Sequence, residues 1–296
     1  MALSILTNTA SLEAQRNLQI TGKNLQSNFA KLSSGQRINN AGDDAAGLAI
    51  SERMKAQISS MSQADRNAND GISLLQTAEG ALNQNAAMLT RMRDLAMESA
   101  NGTLGASDRS ALETEFVQLR GEIDRIANVT EFNGQKLLDG TNAKFDFQVG
   151  LSGGANDTIS ATMSKMTAAA YGDDGTGTPI DLTGLSIGVG KDEKGVATAG
   201  TATTAKAALD TLDKALAATS NTRANLGANQ NRLQVTVANL QSASSNLSAA
   251  NSRIRDVDVA AESASMTKNN ILSQAGLAVL AQANQLPSAA LSLLRG

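Results

Sequence analysis

Few residues of this 296-residue chain combine the types and spacing that chemistry requires. The adjacent carboxylates Asp43 and Asp44 could bind a divalent cation or exchange a proton. Neither use has support nearby. The chain has no His and no Cys, which removes thiol nucleophiles, disulfides, His-based triads and His or Cys metal sites. An Ala-rich helical pattern follows the pair directly, so it reads as a helix N-cap. The Gly-x-Gly runs Gly175-Thr176-Gly177 and Gly188-Val189-Gly190 lack the further glycine, lysine and helix of a phosphate loop, and read as loop and strand ends. Arg91-Met92-Arg93 reads as a solvated helix face. The glycosylation-like triplets at Asn101, Asn128, Asn156 and Asn246 recur by composition in an Asn- and Thr-rich chain. No catalytic, metal or cofactor-binding residue is assigned, and no cofactor is expected.

Composition narrows the partners as well. Twenty-five basic against 28 acidic residues leave a net charge of -3, so nucleic acid is not expected. Aromatics make up 2%, with no Trp, which leaves little to stack on bases or line a ligand pocket. The longest nearly apolar stretch, Ala275 to Ala281, is far short of the roughly 20 residues of a membrane helix, so no membrane insertion is expected. The start, Met1 to Asn8, lacks the basic and long apolar regions of a cleaved secretory signal. The default expectation is a cytoplasmic protein, and a place outside the cell needs an unconventional route.

The residues must be positioned by helices. Proline occurs only at 179 and 287, and apolar residues recur at alternating spacings of four and three. Met54, Ile58, Met61, Ala68, Ile72, Leu75, Leu82, Ala86, Leu89 and Ala96 form one seam; Leu112, Phe116, Leu119, Ile123 and Ile126 a second; Leu226, Leu233, Val237, Leu240, Leu247 and Ile254 a third. Of the nine Met, Met54 and Met61 lie on the first seam, where they pack. Asp43-Asp44 is placed to cap the first helix and Ser107-Asp108 the second, with Gly102 and Gly105 marking the turn between them. A helix from about Ala45 to Ala100 is about 80 Å long, whereas a globule of this chain length is only about 50 Å across. The expected fold is mainly α: an elongated rod of long antiparallel, coiled-coil-like helices.

Two further features break the helices. Asn133-Gly134, flanked by β-prone residues, predicts a hairpin. Residues 142–204 hold 11 of the 25 glycines and alternate at Phe145, Phe147 and Val149 and at Leu185, Ile187 and Val189, which predicts a small β-rich surface insert, its Gly-rich part (172–200) expected to tolerate deletion.

The ends carry the clearest excess of apolar surface. Residues 1–42 contain Ile5, Leu12, Leu18, Leu25, Phe29 and Leu32 at mostly helical spacing. Residues 257–296 contain Ile271, Leu272, Leu277, Val279, Leu280, Leu286, Leu291 and Leu294, with four charges in forty residues. Two narrow helices cannot cover one another fully, so partner subunits are expected.

The stretch Leu32-Ser33-Ser34-Gly35-Gln36-Arg37-Ile38-Asn39-Asn40-Ala41-Gly42-Asp43-Asp44-Ala45-Ala46-Gly47-Leu48-Ala49-Ile50-Ser51 resembles the N-terminal signature of bacterial flagellins. Gln274-Ala275-Gly276, Val279 to Gln285, Pro287 and Leu291 to Arg295 resemble the flagellin C-terminus. Phe132-Asn133-Gly134 and Leu226 to Arg232 also match. The resemblance covers residues 1–141 and 205–296. It implies a non-enzymatic structural subunit that polymerises into the flagellar filament for motility, by coupled folding and assembly of its terminal helices. It implies residues 1–43 and 257–296 as a paired-helix inner domain, 44–141 and 205–256 as a helical outer tube, and 142–204 as a short variable insert. Leu18, Leu25, Phe29, Leu32, Ile271, Leu272, Leu277, Leu280, Leu286, Leu291 and Leu294 are the expected assembly residues. The implied partners are further copies of the chain, a type III export apparatus with its chaperone, and filament cap and hook-junction proteins. The implied location is the extracellular filament, reached without a cleaved signal peptide. A hook–filament junction protein, which shares similar ends, and more distantly a cytoplasmic coiled-coil scaffold, remain as alternatives.

Arg91-Met92-Arg93-Asp94-Leu95-Ala96-Met97 further resembles the helix segment bound by the flagellin-sensing Toll-like receptor, with Glu115 as the family's acidic partner. The resemblance implies Arg91, Leu95 and Glu115 as a contact set. Arg91 and Leu95, four apart, are expected on one helical face. Thr90, Asp94 and Met97 depart from the family's pattern.

Overall fold

The rhythm of the first seam becomes one uninterrupted helix, α2 (Ala45–Ser99), within a residue of its expected end. The computed structural model describes residues 8–173, 177–191, 197–199 and 202–293; Ile5, Gly175, Thr176 and Leu294 lie outside them. The other helices are α1 (Thr9–Ser34), α3 (Ala106–Val129), α4 (Ala202–Arg255) and α5 (Val259–Leu293). Asp44 caps α2 by accepting from the Gly47 N–H at 2.8 Å. Asp43 does something else: its carboxylate accepts the N–H groups of Asn39 and Asn40 at 3.0 and 2.9 Å, closing the preceding loop. These bonds, Asn40's first, hold its carboxyl below the usual carboxylate range. The cap expected at Ser107-Asp108 lies two residues earlier. Gly105 is the N-cap of α3, and Asp108 reaches back to accept its N–H at 3.0 Å.

The chain divides into two compact units, residues 1–59 with 244–296 and residues 60–243. In the second unit α2 and α4 run antiparallel, marked by Arg93 with Asp213, Gln230 with Glu79, and Gln241 with Asp65. Leu75, Leu82, Leu89 and Met92 of α2, Phe116 and Ile123 of α3, and Leu212, Leu226 and Leu233 of α4 are fully buried in one core. After α3 comes the expected hairpin, β1 (Glu131–Phe132) and β2 (Gln135–Lys136). Its turn residues Asn133 and Gly134 have φ of 50° and 77°, the left-handed pair that a two-residue hairpin turn demands.

The insert is built from small antiparallel sheets: β3 (Lys144–Gln148) with β4 (Thr158–Thr162), β5 (Met166–Thr167), β6 (Ala170–Asp173) and β7 (Pro179–Ile180) in one three-stranded sheet, and β8 (Val189–Lys191) with β9 (Ala197–Ala199). Two expectations change here. First, the insert is part of the core and not a loop laid over it: Ile159, Met166, Tyr171, Ile180, Leu182 and Ile187 are buried in the same cluster as the helix seams. Second, the alternation Leu185, Ile187, Val189 is a strand only from Val189. The backbone before it is held by side chains. Arg120 donates to the carbonyls of Leu182, Thr183 and Leu185 at 3.4, 2.7 and 3.1 Å. Glu113 accepts the N–H groups of Ile187 and Gly188 at 2.6 and 2.8 Å. A Cβ at Gly188 would lie 2.1 Å from the Arg109 carbonyl oxygen, so only glycine fits under this clip. Charged groups on α3 have replaced a neighbouring strand as hydrogen-bond partners.

Candidate assembly surface

The first unit holds α1 and α5 together with the ends of α2 and α4 that adjoin them. Helices α1 and α5 pack antiparallel: Asn8 donates to the Ala283 carbonyl at 2.7 Å, Ser11 to the Asn284 side chain at 2.8 Å, and Asn28 meets Ser265 at 3.2 Å. The buried residues of α1 are Ser11 and Asn28. Small polar side chains therefore fill much of the seam, where each buried amide or hydroxyl finds a partner. Rotated to suit its neighbours, the Asn28 amide donates to the Asn24 carbonyl and the Glu262 carboxylate at 2.7 and 3.1 Å. Gly276 permits the approach, since a Cβ there would come within 2.8 Å of Leu18.

Several large apolar side chains face away from that seam. Phe29, Ile271, Leu272 and Leu277 are 56, 61, 47 and 54% exposed. Leu18, Leu25, Leu32 and Leu280 are half-buried along its edges. Leu286 and Leu291 lie in α5, but their side chains are outside the described residues. Leu12, Ile20, Val259 and Val279 extend the exposed set. A cleft of about 490 Å³ opens along the pair, with Leu18 and Ile20 on one wall and Leu272 and Val279 on the other. Contiguous apolar surface of this kind marks an association site.

The chain is tied where both arms meet α2 and α4. Arg37 donates from its main chain to Arg255 O at 2.6 Å and from its guanidinium to Ile254 O at 2.6 and 3.2 Å. Val257 N–H donates to Gly35 O at 3.1 Å. Arg255 binds Gln36 and pairs with Glu52, holding the Glu52 carboxyl below its usual range. These partners, 203 or more residues apart in sequence for Arg37 and Arg255, could not be paired from the sequence.

The second expected set divides. Arg91 and Glu115 form a two-toothed ion pair across α2 and α3, at 2.8 and 3.1 Å. The guanidinium lowers the Glu115 pKa, and the carboxylate raises that of Arg91. Leu95 does not share their exposure: it is 1% exposed and belongs to the core. Arg91 and Leu95 are four apart, yet the helix turns one outward and one inward. Met97, not Leu95, is the exposed apolar residue there, 54% accessible and 3.4 Å from the Arg93 guanidinium.

Long helices with self-satisfied cores and apolar ends define a structural protein built to associate. The bacterial flagellin N-terminal helical region matches residues 5–143, and the bacterial flagellin C-terminal helical region residues 209–294. A flagellin of Halalkalibacterium halodurans is 47% identical, over 97% of this chain and 98% of its own. The flagellin of Bacillus subtilis is 46% identical, with the same coverage of both chains. Among solved structures, the crystal structure of Bacillus cereus flagellin is 32% identical and covers 63% of this chain and 94% of its own, with a TM-score of 0.47. The chain belongs to the bacterial flagellin family, and its function is that of a structural subunit of the flagellar filament. Among the described residues, no helix is long and apolar enough to cross a membrane.

Proposed function

We propose that the α1–α5 pair is the inner domain of the filament and that its outward apolar residues are the assembly contacts. Residues 1–43 and 257–296 form this inner domain, 44–141 and 205–256 the outer tube, and 142–204 the insert. The observation that carries the reading is the inverted placement of side chains, with Ser11 and Asn28 inside and Phe29, Ile271, Leu272 and Leu277 outside. Burying each large side chain against a neighbouring copy is worth about 1.5–3 kcal/mol. Helical polymers grow by meeting one patch with a different patch on the next copy, and the two helices offer different residues for this. The arms order as they are buried, so folding and polymerisation are coupled.

The subunit reaches the filament through an export apparatus and its chaperone, without a cleaved signal, and meets cap and hook-junction proteins on assembly outside the cell. A host Toll-like receptor recognises the monomer at the Arg91–Glu115 pair, with Leu95 supporting that surface from within. Receptor-reporter assays check this: Arg91→Ala lowers the response without unfolding the monomer, and an unchanged response refutes it.

The assembly reading is tested with Ile271→Asp, which puts a charge on a side chain already exposed in the monomer. The expected result is a monomer with wild-type helicity and melting that forms no filaments by electron microscopy. Filaments of normal length and yield overturn it.

A further inference from the structure

The sequence contains two Asn-Gly pairs, 101–102 and 133–134, and the structure places them in opposite chemical situations. Asn-Gly is the dipeptide in which a main-chain nitrogen most easily reaches the preceding side-chain amide, because glycine leaves that nitrogen unshielded. Asn133 is locked at φ 50° between the paired strands of the hairpin, and no donor among the described residues is aimed at its side chain. Asn101, Gly102 and Thr103 are all exposed in the α2–α3 turn. There the Thr103 N–H donates to Asn101 Oδ1 at 3.2 Å. This bond folds the side chain back over its own main chain. The Gly102 N–H itself has no acceptor among the described residues.

We propose that Asn101-Gly102 is a self-modifying site, where the Gly102 nitrogen displaces ammonia from the Asn101 amide. The Gly102 nitrogen loses its proton to hydroxide and attacks Asn101 Cγ, forming a C–N bond. Negative charge moves onto Oδ1, where the Thr103 N–H receives it as an oxyanion donor does. The intermediate collapses, the Cγ–Nδ2 bond breaks, and Nδ2 leaves as ammonia after taking a proton from water. Water then opens the five-membered imide at either carbonyl, giving aspartate or isoaspartate. The only co-reactant is water, and no redox change occurs.

The site is placed where the product changes local structure. The Asn101 carbonyl accepts from Arg109 at 3.0 Å, and the same guanidinium holds the Ser99 carbonyl at 2.9 Å. Ser99 is fully buried, and its hydroxyl binds the Ile187 carbonyl of the insert. Isoaspartate adds a methylene to the main chain beside these contacts, and either product adds a carboxylate near Arg109. Ageing of the chain therefore acts on the turn that joins α2, α3 and the insert.

Trypsin separates the two sites cleanly, in peptides 94–109 and 126–136. Full-length protein is incubated in heavy-oxygen water at mildly alkaline pH, folded and in urea, then digested and weighed. In the folded chain, labelled deamidation in 94–109 outruns that in 126–136 several-fold, and in urea the two rates converge. Gly102→Ala, at a position with open space for a Cβ, loses most of the reaction. Thr103→Pro, which removes the N–H, reacts several-fold more slowly than Thr103→Ala, which keeps it. Equal rates at the two sites in the folded chain, faster reaction at Asn133, or equal rates in the two Thr103 variants overturn the proposal.

Discussion

The α1–α5 pair and the α2–α3–α4 core are made of similar sequence, rich in Ala, Leu, Asn, Gln and Ser, and they use it in opposite ways. In the core, leucines such as Leu82, Leu89, Leu226 and Leu233 face inward and are fully buried, while Arg91, Glu115, Arg93 and Asp213 pair on the outside. In the α1–α5 pair, Ser11 and Asn28 are inside and Phe29, Ile271 and Leu277 outside. Burial of apolar area dominates folding. The first arrangement buries its large apolar side chains within the chain, whereas the second leaves several of its own exposed. On the proposed assembly, neighbouring copies cover that exposed set.

The contrast is broken most severely by truncating the core. Leu89→Ala or Phe116→Ala, at fully buried positions, should lower monomer stability by about 2–5 kcal/mol in urea unfolding. Phe29→Ala or Leu277→Ala in the terminal pair should change monomer stability by less than about 0.5 kcal/mol and raise the concentration needed for polymerisation. Equal monomer destabilisation by both sets would erase the distinction between the two regions.

An intermediate effect is expected at the insert's clip. Gly188→Ala must push against the Arg109 carbonyl and should cost about 1–3 kcal/mol, measured by thermal unfolding. Deleting 172–200, which includes the buried Ile180, Leu182 and Ile187, should be worse still and yield an aggregation-prone chain. A deletion variant that melts like wild type would return the insert to the status of an outlying loop.

The smallest effect is electrostatic and spans both regions. Asp43 is lowered by the N–H groups of Asn40 and Asn39, Glu52 by Arg255, Asp139 by Thr141, and Asp181 by Thr183. Folded values below the ordinary 3.8 for Asp and 4.5 for Glu mean that the unfolded chain binds more protons in acid. Their stabilisation is complete above the ordinary carboxylate values and declines as pH falls through the lowered ones. Melting temperature followed from neutral pH downward should be flat and then drop below about pH 4.5. Only Glu52 is held chiefly by a cation, Arg255, so salt should shrink its share of the drop and leave most of the rest. A melting temperature that rises on acidification would contradict the assignment.

Much of this molecule is legible in its residues because helix packing is local in its demands. A four-and-three apolar rhythm sets the face of α2 and its length, and Asn133-Gly134 sets a hairpin, since both depend on neighbours only a few residues away. The terminal apolar excess, which pointed to an association surface, is equally plain from residue types alone. The inward turn of Leu95 is not legible in the seam, which runs through Leu89 and Ala96, and its four-residue spacing from Arg91 predicts a shared face.

What the tertiary structure decided lies in pairings between distant residues. The seam between α1 and α5 is polar because Asn8, Ser11 and Asn28 find Ala283, Asn284 and Ser265, at separations of 237 to 275 residues. Apolar periodicity counts leucines and is blind to a seam made by hydrogen bonds. Leu185 to Gly188 alternate like a strand, but Arg120 and Glu113 take their main-chain groups before a neighbouring strand can. Residue types and spacing thus determined which segments are helices and how much apolar surface the ends must hide. The side to which that surface turns was decided only in three dimensions, where buried polar groups must find partners and α1 and α5 met theirs in each other.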